Sequence, residues 1–334
     1  MKKFLVIQTA FIGDVVLATG IIEKLHRFYP EAEIDFLVRK GNEGLLTDHP
    51  FLHKVLVWDK KKDKYKNLFK TLGTIRKNKY DVVINVQRFA ATGFVTVFSG
   101  ASMTIGFDKN PWSAFFTKKI KHRISTKDNI VHEVERNNDL IAHLTDDKPE
   151  RPEIYPSQQD HEKVKPYQQS PYICIAPASV WFTKQYPKEK WISFINSIPN
   201  DLNIFLIGAK EDVTLCDKIK NGSQHNGVTN LCGQLSFLQS AALQKQAVMN
   251  YVNDSAPMHF ASAVNAPITA IYCSTVPSFG YGPLSDKSYI VQTLEILPCK
   301  PCGIHGYKAC LLGHFKCAYT IKEDQLLKTL RAAD

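Results

Sequence analysis

Thirteen residues, Tyr251-Val-Asn-Asp-Ser-Ala-Pro-Met-His-Phe-Ala-Ser-Ala263, compress a strand end, a polar turn and a helix start. Asn253, Asp254 and Ser255 carry the short oxygen-bearing side chains that N-caps favour, and Pro257 stands where its missing N–H costs little. Such a turn is either an ordinary capped helix or a cradle for a diphosphate, whose charge suits free backbone N–H groups and the positive end of the helix dipole. Asp254, Ser255, Ala256, Met258 and His259 are the candidate contacts there; His259 also reads as a packed core residue. A second stretch, Ala176 to Pro187, sets Ser179 and Thr183 near Lys184: two hydroxyls and a point-charge ammonium suited to phosphate oxygens, or a loop that satisfies only itself. Asp14 follows Gly13 at a loop-to-helix junction, where a carboxylate serves as a base or as an N-cap. In the tail, Cys299, Cys302, Cys310 and Cys317 form a C-x₂-C-x₇-C-x₆-C pattern with His305 and His314 interspersed. That is the ligand inventory of a structural zinc site, with reduced spectator thiols or one local disulfide as the alternatives.

The elements that must hold these residues alternate. Strands are expected at 3–7, 34–38, 54–57, 80–85 and 102–106, with helices at 14–28, 41–46, 64–76, 90–98 and 130–144. Residues 151–170 are rich in Pro and polar side chains and read as a linker. Alternation then restarts, with strands at 172–175, 203–207, 228–231, 248–252 and 268–272 and helices at 188–198, 212–220, 235–243 and 255–264. The fold class is therefore α/β, two doubly wound Rossmann-like domains in series: 1–150, and 171–334 with the cysteine-bearing tail. Two such domains are expected to face a central cleft with the carboxyl ends of their sheets, where ligands of this fold bind. Gly13 stands alone after the first strand, which argues against a Gly-x-Gly-x-x-Gly dinucleotide site.

The 334 residues carry a net charge of +10, and the first 150 hold 25 Lys/Arg against 18 Asp/Glu. Lys60, Lys61, Lys62, Lys64, Lys66 and Lys70 form one cluster; Lys118, Lys119, Lys121, His122 and Arg123 form another. Both are solvated faces or platforms for a polyanionic substrate or anionic lipid. An RNA-binding module would explain the charge, but no aromatic-basic RNA motif accompanies it. No run of eighteen apolar residues exists to span a bilayer, and Phe4-Leu-Val-Ile7 reads as a buried strand instead of a signal peptide. Eight cysteines without such a signal point to a reducing, cytoplasmic setting.

Ile12-Gly-Asp-Val-Val-Leu-Ala-Thr-Gly20 resembles the Gly-Asp opening of glycosyltransferase family nine, the lipopolysaccharide heptosyltransferases. Ala176 to Pro187 is similar to that family's donor-phosphate loop, and Asn253-Asp-Ser-Ala-Pro-Met-His259 to its Asn-Asp-Ser-Gly-(Pro/Leu)-Met-His signature, with Ala256 in place of Gly and Gly20 where Pro is common. The tail is similar to that of the heptosyltransferase II branch, which the chain resembles most. The resemblance implies a GT-B fold and inverting transfer from ADP-heptose to the inner core of lipopolysaccharide, without a cofactor or a divalent metal. It implies Asp14 as the catalytic base and Lys184 as the partner of the donor phosphates. Glu211 or Asp212 would meet the ribose, the choice between them being open. Gly13, Lys60, Lys61 and Lys62 would lie on the acceptor side, in the N-terminal domain, with the donor in the C-terminal one. The enzyme would work in the cytoplasm, in peripheral contact with the inner membrane. Another family-nine transferase acting on a different surface glycan, or a GT-B nucleotide-sugar epimerase, are the alternatives.

Overall fold

The computed structural model describes residues 1–126 and 129–332. The chain divides into two compact units, Met1–Tyr155 and Pro156–Asp334. In the first, β1 (Lys3–Ile7), β2 (Glu33–Arg39), β3 (Lys54–Trp58), β4 (Val82–Asn85), β5 (Met103–Phe107) and β6 (Lys118–Ile120) form one parallel sheet in the order β3-β2-β1-β4-β5-β6. Its helices are α1 (Ile12–Phe28), α2 (Lys64–Asn78), α3 (Ala90–Val97) and α4 (Glu133–Asp139). The near-continuous apolar runs of β1 and β4 are buried throughout, as strands covered on both faces require.

The second unit repeats the plan. It contains α5 (Gln158–Val164), β7 (Tyr172–Ala176), α6 (Lys188–Asn196), β8 (Asn203–Leu206), α7 (Val213–Gly222), β9 (Val228–Asn230) and α8 (Phe237–Lys245). β10 (Met249–Asn253), α9 (Ala256–Ala263), β11 (Ile268–Tyr272), β12 (Ser288–Gln292), α10 (Lys316–Tyr319) and α11 (Glu323–Arg331) complete it. The sheet order is β12-β11-β10-β7-β8-β9, again all parallel. Both sheets thus reverse their winding once, between β1 and β4 and between β7 and β10, and the loops leaving those strand pairs diverge to open a binding crevice.

Three expectations shift. The segment 151–170 is not a bare linker, because Ser157 and Asp160 close a capping box that starts α5, which packs on α8. Residues 151–155 belong to the first unit: Glu153 N–H donates to Thr19 Oγ1 at 3.0 Å and the Tyr155 hydroxyl to Glu23 Oε2 at 2.9 Å. Gly20 makes this possible, since a Cβ there would meet the Glu150 carbonyl oxygen at 2.6 Å. The helix expected at 130–144 is shorter, because His132 caps α4 and a one-turn helix at Ala142–Leu144 follows. Beneath it the Lys24 ammonium, fully buried on α1, donates to Asn138 Oδ1, Asp146 Oδ1 and the carbonyls of Asp146 and Lys148. Four acceptors offset the cost of taking that charge out of water.

Candidate functional site

At the crevice of the second unit, the turn after β10 and the loop after β7 are tied together by polar side chains. Asn253, fully buried, accepts from Tyr186 N–H at 3.0 Å and donates to the Pro177 carbonyl at 2.7 Å, so one side chain pins both ends of the 177–186 loop. Asp254 Oδ2 lies 2.7 Å from Lys184 Nζ and accepts from the Thr275 hydroxyl at 2.7 Å. Lys184 and Asp254 are only 13% and 10% exposed, so the pair sits where solvent screening is weak. The short polar residues that the sequence offers as caps are therefore spent on other strands. Ser255 is the N-cap position of α9, but no side chain caps that helix; the Ser255 hydroxyl donates back to the Asn253 carbonyl. An uncapped helix start with an ammonium held beside it by the preceding carboxylate is an anion-binding arrangement.

Two residues expected to meet the donor are used elsewhere. Thr183 is buried; its hydroxyl donates to the Tyr307 carbonyl and accepts from Tyr307 N–H at 2.7 Å and from Ser274 Oγ at 3.0 Å. It holds the tail against the 177–186 loop, and Gly306, with φ +75°, fits there because a Cβ would come 2.9 Å from Thr183 Oγ1. Met258 is fully buried and its Sδ accepts from the Tyr272 hydroxyl, which makes the side chain core. His259 is buried as well. Ser255 and Ala256 are half-buried at the helix start, and Ser179 is half-buried on the loop, its carbonyl accepting from Gln185 Nε2 at 2.7 Å. The choice between Glu211 and Asp212 also narrows. Asp212 accepts from Ala209 N–H at 2.8 Å, and burial raises its carboxyl above the usual range, whereas Glu211 is exposed.

In the first unit the corresponding crevice lies between β1 and β4. Thr9 donates to Gln87 Oε1 through its hydroxyl and its N–H, and Asn42 Nδ2 donates to the Ala10 carbonyl. Lys60 reaches in from the loop after β3: its ammonium donates to the Thr9 carbonyl at 2.9 Å and stands 4.7 Å from the Trp58 ring. Burial, then the charges of Arg39 and Lys64, lowers its pKa to about 8. Lys60 is thus a buttress of the loop, unlike Lys61 and Lys62, whose side chains are exposed while their N–H groups donate to Asp59. Gly13 and Asp14 fall in the first turn of α1, whose N-cap position is Phe11, so Asp14 is the third helical residue and not the cap. The Arg39 guanidinium lies 5.1 Å over the exposed Phe11 ring at the same mouth.

The cysteine tail does not form the zinc cage the spacing suggests. Among the described residues no three His, Cys, Asp or Glu side chains come together in a way that could hold a metal ion, and all eight cysteines are free. Cys317 turns into the core of the second unit on α10, its thiol pushed up to about 11 by burial and then by Cys302, while Cys302 Sγ donates to the Cys299 carbonyl. Cys299 Sγ stays 4.0 Å from His314 Nε2. What the tail does hold is the site: Cys302 N–H donates to the Ser274 carbonyl, and Lys300 Nζ to the carbonyl of Tyr272.

Two six-stranded Rossmann-like units, each with a polar crevice at its winding reversal, make up a GT-B fold. The glycosyltransferase family 9 (heptosyltransferase) model matches residues 68–307, and the chain belongs to that family. It is 27% identical to lipopolysaccharide heptosyltransferase 3 of Escherichia coli, over 79% of this chain and 82% of that one. Among solved structures, a family 9 glycosyl transferase from Veillonella parvula superposes with a TM-score of 0.87 at 20% identity, covering 99% of this chain and 97% of the other. ADP-heptose lps heptosyltransferase II of E. coli does so with 0.81 at 21% identity, covering 100% and 98%. No helix among the described residues is long and apolar enough to cross a membrane.

Proposed function

We propose that this glycosyltransferase moves heptose from ADP-L-glycero-β-D-manno-heptose to the inner core of lipopolysaccharide, with inversion. The observation that carries the reading is Lys184 held by Asp254 at the uncapped start of α9. A diphosphate placed there meets an ammonium and the backbone N–H groups of the first helical turn, which stabilise the charge that develops on the leaving group. Asp14 takes the proton of the acceptor hydroxyl as its oxygen bonds to the anomeric carbon; the bond from that carbon to the diphosphate breaks, and ADP departs with the electron pair. Glu211 accepts from the ribose hydroxyls, and Ser179 with the backbone of Ser255 and Ala256 completes the donor side. The side chains of Lys61 and Lys62 face the anionic acceptor, with Lys60 and Gly13 shaping the loop that presents Asp14. Charge neutralisation by Lys184 and the helix start replaces a divalent ion, so the reaction proceeds without metal. The enzyme acts in the cytoplasm, peripherally at the inner membrane, where its acceptor is anchored.

The deciding experiment measures nucleotide release from ADP-heptose and from several other nucleotide sugars, with and without purified core-truncated acceptor. Acceptor-dependent release from ADP-heptose supports the reading. Acceptor-dependent release from a different sugar nucleotide alone, or conversion of the donor without acceptor, overturns it.

A further inference from the structure

α2 turns Leu68, Thr71, Leu72 and Ile75 inward, which leaves Tyr65 and Phe69 on its outer face, 71% and 59% exposed. Phe69 is the first of a chain of touching rings: Phe69 to Phe94 at 5.9 Å, Phe94 to Phe98 at 4.7 Å, Phe94 and Phe98 to Trp112 at 5.7 and 5.8 Å, and Trp112 to Phe115 at 5.9 Å. Phe98 and Phe115 are exposed like Phe69. A contiguous exposed apolar ridge of this kind on a soluble domain marks an interaction surface. Its surroundings are cationic. Lys62, Lys64, Lys66 and Lys70 are exposed on and before α2, Lys118 and Lys119 follow Phe115 on the edge strand β6, and Asp63 is the single acidic residue between Lys60 and Lys79.

The geometry points to this ridge as the surface that docks on an anionic lipid bilayer, with the rings entering the headgroup boundary and the lysines meeting lipid phosphates. The Phe rings gain by burying apolar surface there, Tyr65, Trp112 and the Lys stems suit the boundary because one end of each is apolar and the other polar, and each Lys near an anionic surface contributes about 1 kcal/mol. A second copy fits less well, since a two-fold contact would set the same lysines against each other. Single-stranded nucleic acid needs open ring faces on which to stack bases. Here the rings are packed on one another at interplanar angles of 47–85°, leaving a joint apolar surface instead. The inference deepens the proposed function, in which the acceptor is lipid-borne, and assigns the contact to rings outside both crevices.

The test is flotation of the full-length protein with phosphatidylglycerol/phosphatidylethanolamine vesicles and with pure phosphatidylcholine vesicles. Fluorescence quenching by bilayers brominated on the acyl chains is measured alongside. Wild type is expected to float with the anionic vesicles only and to be quenched, and Trp112→Phe to lose most of that quenching. Phe69→Ser/Phe115→Ser is expected to cut anionic-vesicle partition about tenfold or more, and Lys66→Gln/Lys70→Gln to cut it several-fold. Both variants should keep wild-type turnover on a deacylated, water-soluble acceptor. Absence of quenching in wild type, equal partition to both vesicle types, or unchanged flotation of the ring variant overturns the assignment. So does ring-dependent self-association in sedimentation, or ring-dependent binding of oligo-uridine. Vesicle binding without sugar transfer would leave this surface standing and remove the proposed reaction, whereas transfer to the soluble acceptor without vesicle binding would do the reverse.

Discussion

The ammonium of Lys184 and the carboxylate of Asp254 meet at 2.7 Å across the point where the second sheet reverses its winding, one from the loop after β7 and one from the turn after β10. Thr275 donates to the same carboxylate oxygen from the end of β11, so three neighbouring strands fix one cation. In the proposed reaction a diphosphate would find the ammonium already placed, so the ordering cost of a free lysine would not be incurred on binding.

Lys184→Ala is therefore expected to weaken binding of the diphosphate-bearing donor about 10- to 100-fold, the range of one or two charge-assisted hydrogen bonds, and to leave the bare nucleoside unaffected. Isothermal titration of both ligands decides it. Equal losses would take Lys184 away from the phosphates.

Asn253→Ala removes the acceptor of Tyr186 N–H and the donor to the Pro177 carbonyl, both buried. The expected cost is about 1–3 kcal/mol of stability, read as a lower urea midpoint with an unchanged m-value. Donor affinity should fall with it, because the loop that carries Lys184 is released at both ends. A variant as stable as wild type would show that the loop is held by something other than this side chain.

The alternation of apolar runs with amphipathic helices made both doubly wound units legible in the sequence, because strands buried on two faces are mostly apolar. The turn at Asn253–His259 was legible as a strand-to-helix junction for the same local reason. What could not be read locally is where short polar side chains point. Asn253, Asp254 and Ser255 have the composition of caps, yet Asn253 and Asp254 are satisfied by partners 21 to 76 residues away, from the loop after β7 and the end of β11. Thr183 looks like a phosphate ligand beside Lys184 until its hydroxyl is traced to Tyr307, 124 residues on. Met258 belongs to the same signature but follows the helical period inward, onto Tyr272. Lys60 reads as one of a solvated run, and only the sheet order brings it to the Thr9 carbonyl. The edge strand β6, Lys118–Ile120, lacked the apolar run that marked the others, and the edge strand β12 offered only Tyr289 to Val291.

Lys60 supplies a pH-dependent check. In the unfolded chain its ammonium titrates near the ordinary 10.5, and in the folded protein at about 8, because burial disfavours the charged form. Between these values the unfolded state binds more protons, so this group makes stability rise with pH from about 8 to about 10.5; below 8 its desolvation cost is present in full. Lys60→Met should stabilise the protein at neutral pH and flatten that rise. After reductive methylation with ¹³C-formaldehyde, the Lys60 resonance is expected to titrate near 8, well below those of Lys61 and Lys62. A midpoint near 10.5 would contradict the placement of Lys60 against the loop.

Single-turnover kinetics of Asp14→Asn show whether Asp14 removes the acceptor proton. The amide keeps the shape of the side chain in the first turn of α1 and removes its basicity. With ADP-heptose and core-truncated acceptor bound, transfer is expected to slow by a factor on the order of 10²–10⁴, with donor affinity and thermal midpoint unchanged. Transfer within a few-fold of wild type, with both substrates bound normally, would contradict the assignment of Asp14 as the base.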